Sequence, residues 1–221
     1  SIFLFIKKLK YEMHGPLLEK AIPKELKKSR TQLIKLILET CRCMLFNRNV
    51  EHADSLMMLV VQDMNRLFFC ADKKMYSIVF PFHVKLSPDK NPYVHFDLDD
   101  IDIDSAMISY LSEVVDSDKF ESDCSLDFFE PILSKEDFFS KDFWFVLRHL
   151  MTYEMGYVRC DDDIQAYNEA CKKGVPKLHP RYHYDINCSQ SAAFKIGVDK
   201  KLTPDKFVDF LDDTIERKFL R

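Results

Sequence analysis

Apolar residues between Leu26 and Leu45 recur at three- and four-residue intervals: Leu26, Leu33, Ile34, Ile37, Leu38, Cys41, Met44 and Leu45. That spacing lines one face of a helix, and Pro23 suits its first turn. Lys24, Lys27, Lys28, Arg30 and Lys35 mark a polar face that meets water or an anion. A second helix is predicted over Ala53–Phe69, with Leu56, Met57, Val60, Val61, Met64, Leu67 and Phe68 inward. The short polar link Asn47–Glu51 would make the two an antiparallel pair.

From Met75 the pattern changes to β-branched and aromatic residues. Met75–Leu86 and Tyr93–Leu98 read as strands joined around Ser87–Pro92, and Pro81 breaks or edges the first. Asp104 or Ser105 caps a helix running through Val115. Another helix is expected over Phe138–Tyr153, with Gly156 as its left-handed stop. The acidic stretch Glu121–Pro131 reads as irregular. Tyr157–Cys160 is a short strand, Asp161–Pro180 a long polar loop, and Tyr182–Cys188 with Ala192–Val198 a hairpin around Ser189–Ser191. Thr203 and Pro204 then open a C-terminal helix whose buried stripe is Phe207, Phe210, Leu211 and Ile215.

The resulting expectation is an α+β fold: a helical pair and further helices packed on a mainly antiparallel sheet, with the C-terminal helix covering one face. A chain of 221 residues fits a single domain over residues 1–221, helical over about 16–72 and sheet-containing over about 73–221. Nineteen Phe imply an aromatic-rich core or a surface that a partner covers. Seven Cys with no C-x-x-C pair suggest reduced thiols. The apolar run Ile2–Ile6 is too short to span a bilayer and precedes its lysines, which is wrong for a secretory signal. A cytoplasmic protein without a membrane segment is therefore expected. A net charge of −4 argues against binding nucleic acid through global basicity, while leaving room for a local patch.

Chemistry-bearing residues concentrate between Gly156 and Val198, which also holds three of the four glycines. Arg159, Asp161, Asp162, Asp163, His179, His183 and Asp185 fall at the ends of expected strands. Strand side chains repeat every two residues, so His183 shares a face with Asp185 and Asp161 with Asp163. If those strands are neighbours, Asp161, Asp163, His179, His183 and Asp185 form a candidate site for Mg²⁺, Mn²⁺ or Zn²⁺. A bound ion would activate water, with His183 or Asp185 as base and Arg159 holding a phosphate oxygen. The alternative is structural: Asx turns at Asp161–Asp163 and a supporting His183–Asp185 pair.

Other templates fit less well. The run Asp97, Asp99, Asp100, Asp102 and Asp104 lacks the glycine and closing glutamate of a calcium loop and reads as a strand end leading into a helix cap. Arg48–His52 has three intervening residues where the R-x4-6-H ribonuclease motif of HEPN proteins needs at least four. Asp185 and Lys195 are placed as in a restriction-endonuclease-like core, but Ala193 stands where that core has an acid. Phosphate-binding loops, dinucleotide fingerprints and a G-x-S-x-G elbow do not occur. Cys160 or Cys188 could pair with His183 as a nucleophile, or be inert buried thiols. Arg181-Tyr182-His183-Tyr184 interleaves cations with rings that either stack nucleobases or enter the core.

The block Tyr157-Val158-Arg159-x-Asp161-x-Asp163, then His179-Pro180-x-x-His183, a strand, Leu202-Thr203-Pro204 and Phe207 resembles the C-terminal pattern of an uncharacterised family of bacterial proteins. The resemblance covers about the last 65 residues. It implies a bacterial context of defence or mobile-element modules and no mechanism. Two classes of function follow. One is a metal-assisted phosphodiesterase or nuclease, which brings the carboxylates to His183 in a cleft. The other is a non-catalytic subunit that docks a protein partner or a second copy, which exposes an apolar patch.

Overall fold

A computed structural model describes residues 8–21, 30–47, 50, 53–61, 64–86, 94–117, 140–186 and 194–216. These residues form an α+β fold with six helices, a seven-stranded sheet and a small three-stranded sheet. They divide into two compact units, each built from separated stretches of chain. Residues 1–13, 49–79 and 155–221 make the first unit; residues 14–48 and 80–154 make the second.

The first unit holds the large sheet. Its strands are β1 (Lys8–Glu12), β2 (Leu56–Val60), β3 (Arg66–Cys70), β4 (Lys74–Val79), β8 (Val158–Asp162), β9 (Tyr182–Ile186) and β10 (Phe194–Val198), in that spatial order. Every neighbouring pair is antiparallel. The expected helix over Ala53–Phe69 is instead the β2–β3 hairpin, so the predicted antiparallel helix pair and the helical half over 16–72 are corrected. Leu56–Val60 is a continuous apolar run, buried from Met57 to Val60, which suits a strand covered on both faces as well as a helix turn. What decides it is the break before Arg66, where Asn65 takes a left-handed φ of 38° and the chain reverses so that Val60 faces Arg66.

One face of this sheet packs on the C-terminal helix α6 (Pro204–Leu211), capped by the Thr203 hydroxyl as its sequence requires. Phe207 and Val208 join Phe68, Cys70, Met75, Val158, Cys160 and Tyr184 in one apolar cluster. The rings of Phe68 and Phe207 meet edge to face at 5.6 Å, and Phe210 stacks on Tyr184 at 4.2 Å while staying part-exposed. The buried stripe is thus Phe207 and Val208, with Leu211 partly buried against the same cluster; Ile215 lies beyond the helix and is exposed. A second helix of the unit, α5 (Ile164–Lys172), replaces the expected loop over Asp161–Pro180. Only Ala170 of α5 is buried, so no apolar stripe announces it; its signals are the Asp163 cap and the left-handed Gly174 just past its end.

The second unit contains α1 (Gly15–Ala21), α2 (Arg30–Phe46), α3 (Ser105–Val115), α4 (Lys141–Thr152) and a sheet of β5 (His83–Leu86), β6 (Val94–Leu98) and β7 (Ile101–Asp102). Ile34, Ile37, Leu38, Cys41 and Met44 are buried along α2, and Asp104 caps α3 by accepting from the Met107 amide. Phe80, Phe82 and Phe96 pack edge to face in its core, as the Phe content suggested. Pro81 separates β4 from β5, where the chain crosses from one unit to the other. The acidic run serves local structure. Asp97 pairs with Lys85 at 2.9 Å, Asp99 and Asp100 make the left-handed two-residue turn of the β6–β7 hairpin, Asp102 meets His95, and Asp104 is the cap.

Gly156 is left-handed (φ 51°), but it does not end α4, whose cap is the extended Tyr153. It leads into β8 instead, its carbonyl accepting from the Arg66 guanidinium. No helix among the described residues is long and apolar enough to cross a membrane. The links Asn47–Glu51 and Ser87–Pro92, the Ser189–Ser191 turn, and the segments Ile2–Ile6 and Glu121–Pro131 lie wholly or mostly outside the described residues.

Candidate metal centre

Directly paired strand residues share a face of the sheet, and the register therefore builds the site. Tyr76 faces Arg159, Arg159 faces Asp185, and Asp185 faces Lys195. One pair along, Lys74 faces Asp161, Asp161 faces His183, and His183 faces Gly197. On β2–β4 the same face carries Met57, Leu59, Leu67, Phe69 and Ile78, all buried and apolar. Its charged side chains gather where β8, β9 and β10 come together, with Lys74 of β4 beside Asp161.

There, one ligand atom each from Asp161, His183 and Asp185 lie within 4.8 Å of one another, and all three residues are buried at 7%, 1% and 4% exposure. His183 Nε2 is 3.8 Å from Asp161 Oδ2 and 3.9 Å from Asp185 Oδ2. The imidazole is held from behind, because Nδ1 lies 2.8 Å from the Pro180 carbonyl. A carbonyl only accepts, so Nδ1 carries the proton and Nε2 presents its lone pair on the side where the Lys195 ammonium lies 2.9 Å away and the two carboxylates just beyond. This is the tautomer a metal-binding histidine adopts, with its second nitrogen donating to a backbone oxygen.

Two cations complete the group. Arg159 Nη2 forms an ion pair with Asp161 Oδ2 at 2.9 Å and donates to Asp185 Oδ2. Lys195 Nζ donates to Asp185 Oδ1 at 2.9 Å and lies 2.9 Å from His183 Nε2. Its side chain is 36% exposed, which makes it the member of the group that reaches solvent. The two carboxylates are not equivalent. Burial raises the Asp161 carboxyl above its ordinary value against the pull of Arg159 and His183, and its Oδ1 is buried with no hydrogen-bond partner. Burial acts the same way on Asp185, but there the Lys195 hydrogen bond and the Arg159 and Lys195 charges outweigh it, and the carboxyl sits below the ordinary range. Burial lowers His183 below its ordinary value, the Lys195 charge adding to the effect against the Pro180 hydrogen bond and the two carboxylates.

The expected ligands Asp163 and His179 fall outside this trio. β8 ends at Asp162, and the backbone turns into α5 at Asp163, whose Oδ1 accepts from the Ala166 amide and whose Oδ2 meets His179 Nε2 at 3.3 Å. The side-chain alternation assumed for Asp161 and Asp163 stops one residue too early. His179 packs edge-on against His183, with ring centroids 5.0 Å apart, and so supports the ligand ring. Arg159 bridges the carboxylates rather than facing outward. Asp162 lies on the other face, paired with Arg181, which also covers the Tyr182 ring at 4.7 Å. Lys195 was visible in sequence only through its spacing from Asp185; the strand register now explains it.

Cys160 is no partner for His183, because it points into the apolar cluster on the opposite face and burial pushes its thiol up to about 12. Cys188, the Arg48–His52 motif and Ala193 lie wholly or largely outside the described residues. The expected cleft is not found in the cavity beside Asp161, which measures about 10 Å³, room for about one water. No protein-family model, curated protein or solved structure matches the chain. Among the described residues the exposed large apolar side chains Phe46, Tyr110, Val175, Leu178, Phe210 and Ile215 fall on both units, with Val175 capping and Leu178 ending one 3-10 turn.

Proposed function

We propose that the first unit is a metal-assisted phosphodiesterase or nuclease, with Asp161, His183 and Asp185 holding a divalent ion. The observation that carries this reading is the buried convergence of one imidazole lone pair and two carboxylates on a sheet face that is apolar across β2 and β3. Burying the charges of Asp161, Asp185 and Arg159 costs several kcal/mol per ion before pairing repays it, and apolar residues of similar size stabilise such a position as well or better. Charge gathered in one buried position in spite of that cost supports a functional reading of it.

A nitrogen and carboxylate oxygens in one group suit Zn²⁺ and Mn²⁺, and Mg²⁺ if waters complete its shell. A bound ion would polarise a phosphoryl oxygen and lower the pKa of a coordinated water. The chain's residues have separate parts. His183 presents its lone pair because Pro180 fixes the proton on Nδ1. Arg159 positions both carboxylates, and His179 keeps the imidazole plane in place. A bacterial defence setting rests on the C-terminal resemblance alone.

The test is hydrolysis of labelled single-stranded DNA, duplex DNA, RNA and bis(p-nitrophenyl) phosphate with Mg²⁺, Mn²⁺ or Zn²⁺. Cleavage that EDTA abolishes and Asp161→Asn reduces by about 10²-fold or more supports the reading. Cleavage equally fast in Asp161→Asn, or in EDTA, refutes it.

A further inference from the structure

We infer that Lys195 is a built-in counter-cation whose ammonium occupies the ion position of this site and must leave before a divalent metal enters. The inference rests on the metal reading above. Its basis is geometric. Nζ lies 2.9 Å from Asp185 Oδ1 and 2.9 Å from His183 Nε2, so one cation touches two of the three candidate ligand atoms. The imidazole lone pair that would ligate a metal is aimed at that ammonium. Lys195 is also the most exposed member of the group, at 36% of its side chain against 15% for Arg159. Its side chain is part-exposed, whereas those of Asp161, Asp185 and His183 are 8%, 6% and 1% exposed.

Charge explains why such a stand-in is needed. Arg159 alone leaves two buried carboxylates with one cation, and a buried unpaired charge costs several kcal/mol. Lys195 brings the group to neutrality without an ion, while its flexible four-carbon stem lets the ammonium swing out. A divalent ion would then replace the lysine contacts with His183 and Asp185 and take in Asp161, whose Oδ1 has no hydrogen-bond partner. The released ammonium, tethered on an edge strand beside the ion, faces the position of an anionic phosphodiester. Because the binding-competent state is the one with Lys195 displaced, apparent affinity falls by the fraction of molecules in that state. A lysine held in place nine-tenths of the time reduces it by about tenfold.

Two readouts test this together. Calorimetric titration with Mn²⁺ compares the wild type with Lys195→Met and with Lys74→Met, which removes a cation facing Asp161 without touching His183 or Asp185. Amine-reactive labelling of Lys195 in the wild type, mapped by mass spectrometry with and without Mn²⁺, follows the lysine itself. The expected result is Mn²⁺ affinity raised about tenfold or more in Lys195→Met and about threefold or less in Lys74→Met, with Lys195 labelling increased severalfold by the ion. Mn²⁺ binding to the wild type with unchanged labelling, or with no gain in Lys195→Met beyond that of Lys74→Met, overturns the inference and leaves the metal reading standing. No Mn²⁺ binding in any of the three proteins overturns the metal reading and the inference with it. Binding confined to Lys195→Met supports the inference in its strongest form.

Discussion

Replacing each buried carboxylate of the cluster by its amide should separate stability from function. Asp185 accepts charged hydrogen bonds from both Arg159 and Lys195 and is held ionised by them. Asp185→Asn leaves a buried guanidinium and a part-buried ammonium facing a neutral amide. Two hydrogen bonds to charged partners, each about 1.5–3 kcal/mol, discounted for the exposure of Lys195, give a cost of about 3 kcal/mol. That agrees with the about 3–5 kcal/mol typical of breaking a buried ion pair from one side. Asp161 is the reverse case: burial already opposes its charge, and one oxygen lacks a hydrogen-bond partner. Asp161→Asn keeps an acceptor for Arg159, removes a desolvated charge, and should cost about 1 kcal/mol or less. Amide hydrogen exchange over peptides covering β8, β9 and β10 reads both at once. The slowest amides should exchange about 10²-fold faster in Asp185→Asn and within about fivefold of wild type in Asp161→Asn. Equal losses, or a larger loss in Asp161→Asn, would refute the assignment of unequal roles.

Gly197→Ala places a Cβ 2.8 Å from Pro180 Cγ and must shift the turn whose carbonyl holds His183 Nδ1. It should cost about 1–3 kcal/mol in urea denaturation and weaken Mn²⁺ binding, whereas unchanged binding would detach that turn from the site. Acid should unfold the wild type through His183, which faces Lys195, Asp185, Asp161 and the His179 ring. Its folded pKa is lowered, so the unfolded chain takes up the proton first. Stability is complete above about 6.5 and is lost as pH falls from there toward the lowered folded value. His183→Gln should remove that loss, apart from the opposing gain from Asp161, whose raised carboxyl is protonated in the folded state first. A wild type more acid-stable than His183→Gln between pH 7 and 5 contradicts this. Among the described thiols, exposed Cys171 should react with an alkylating reagent well before Cys41, Cys70 and Cys160, all buried with raised pKa values. Mass spectrometry of partly labelled protein checks the order.

Where one period dominates, the structure follows the sequence closely. The stripe of α2, the Asp104 and Thr203 caps and the alternation through β6, β9 and β10 all stand as expected. Ala53–Phe69 reads as helix in sequence because a short, doubly buried apolar run carries no period of its own, and only tertiary pairing settles it as the β2–β3 hairpin. α5 escaped because it buries a single alanine. The two-unit organisation has no linker signal: the second unit is assembled from residues 14–48 and 80–154, entered and left between strands of the first. At the site, the pairing of His183 with Asp185 and their meeting with Asp161 followed from a period of two and adjacent strands. Asp163 and His179 did not follow, because the end of β8 depends on a helix cap that alternation does not reveal. Arg159 and Lys195 enter through register, Tyr76 to Arg159 to Asp185 to Lys195, which the sequence alone does not specify.

The central claim is that Asp161, His183 and Asp185 form one metal-binding group. Anomalous diffraction from crystals of the wild type grown with Mn²⁺ or Zn²⁺ tests it most directly. The account predicts a peak about 2.0–2.3 Å from His183 Nε2 and from an oxygen of each carboxylate, with Lys195 Nζ moved off it. A peak at other residues only, or a cluster still bridged by Lys195 at saturating metal, would contradict it.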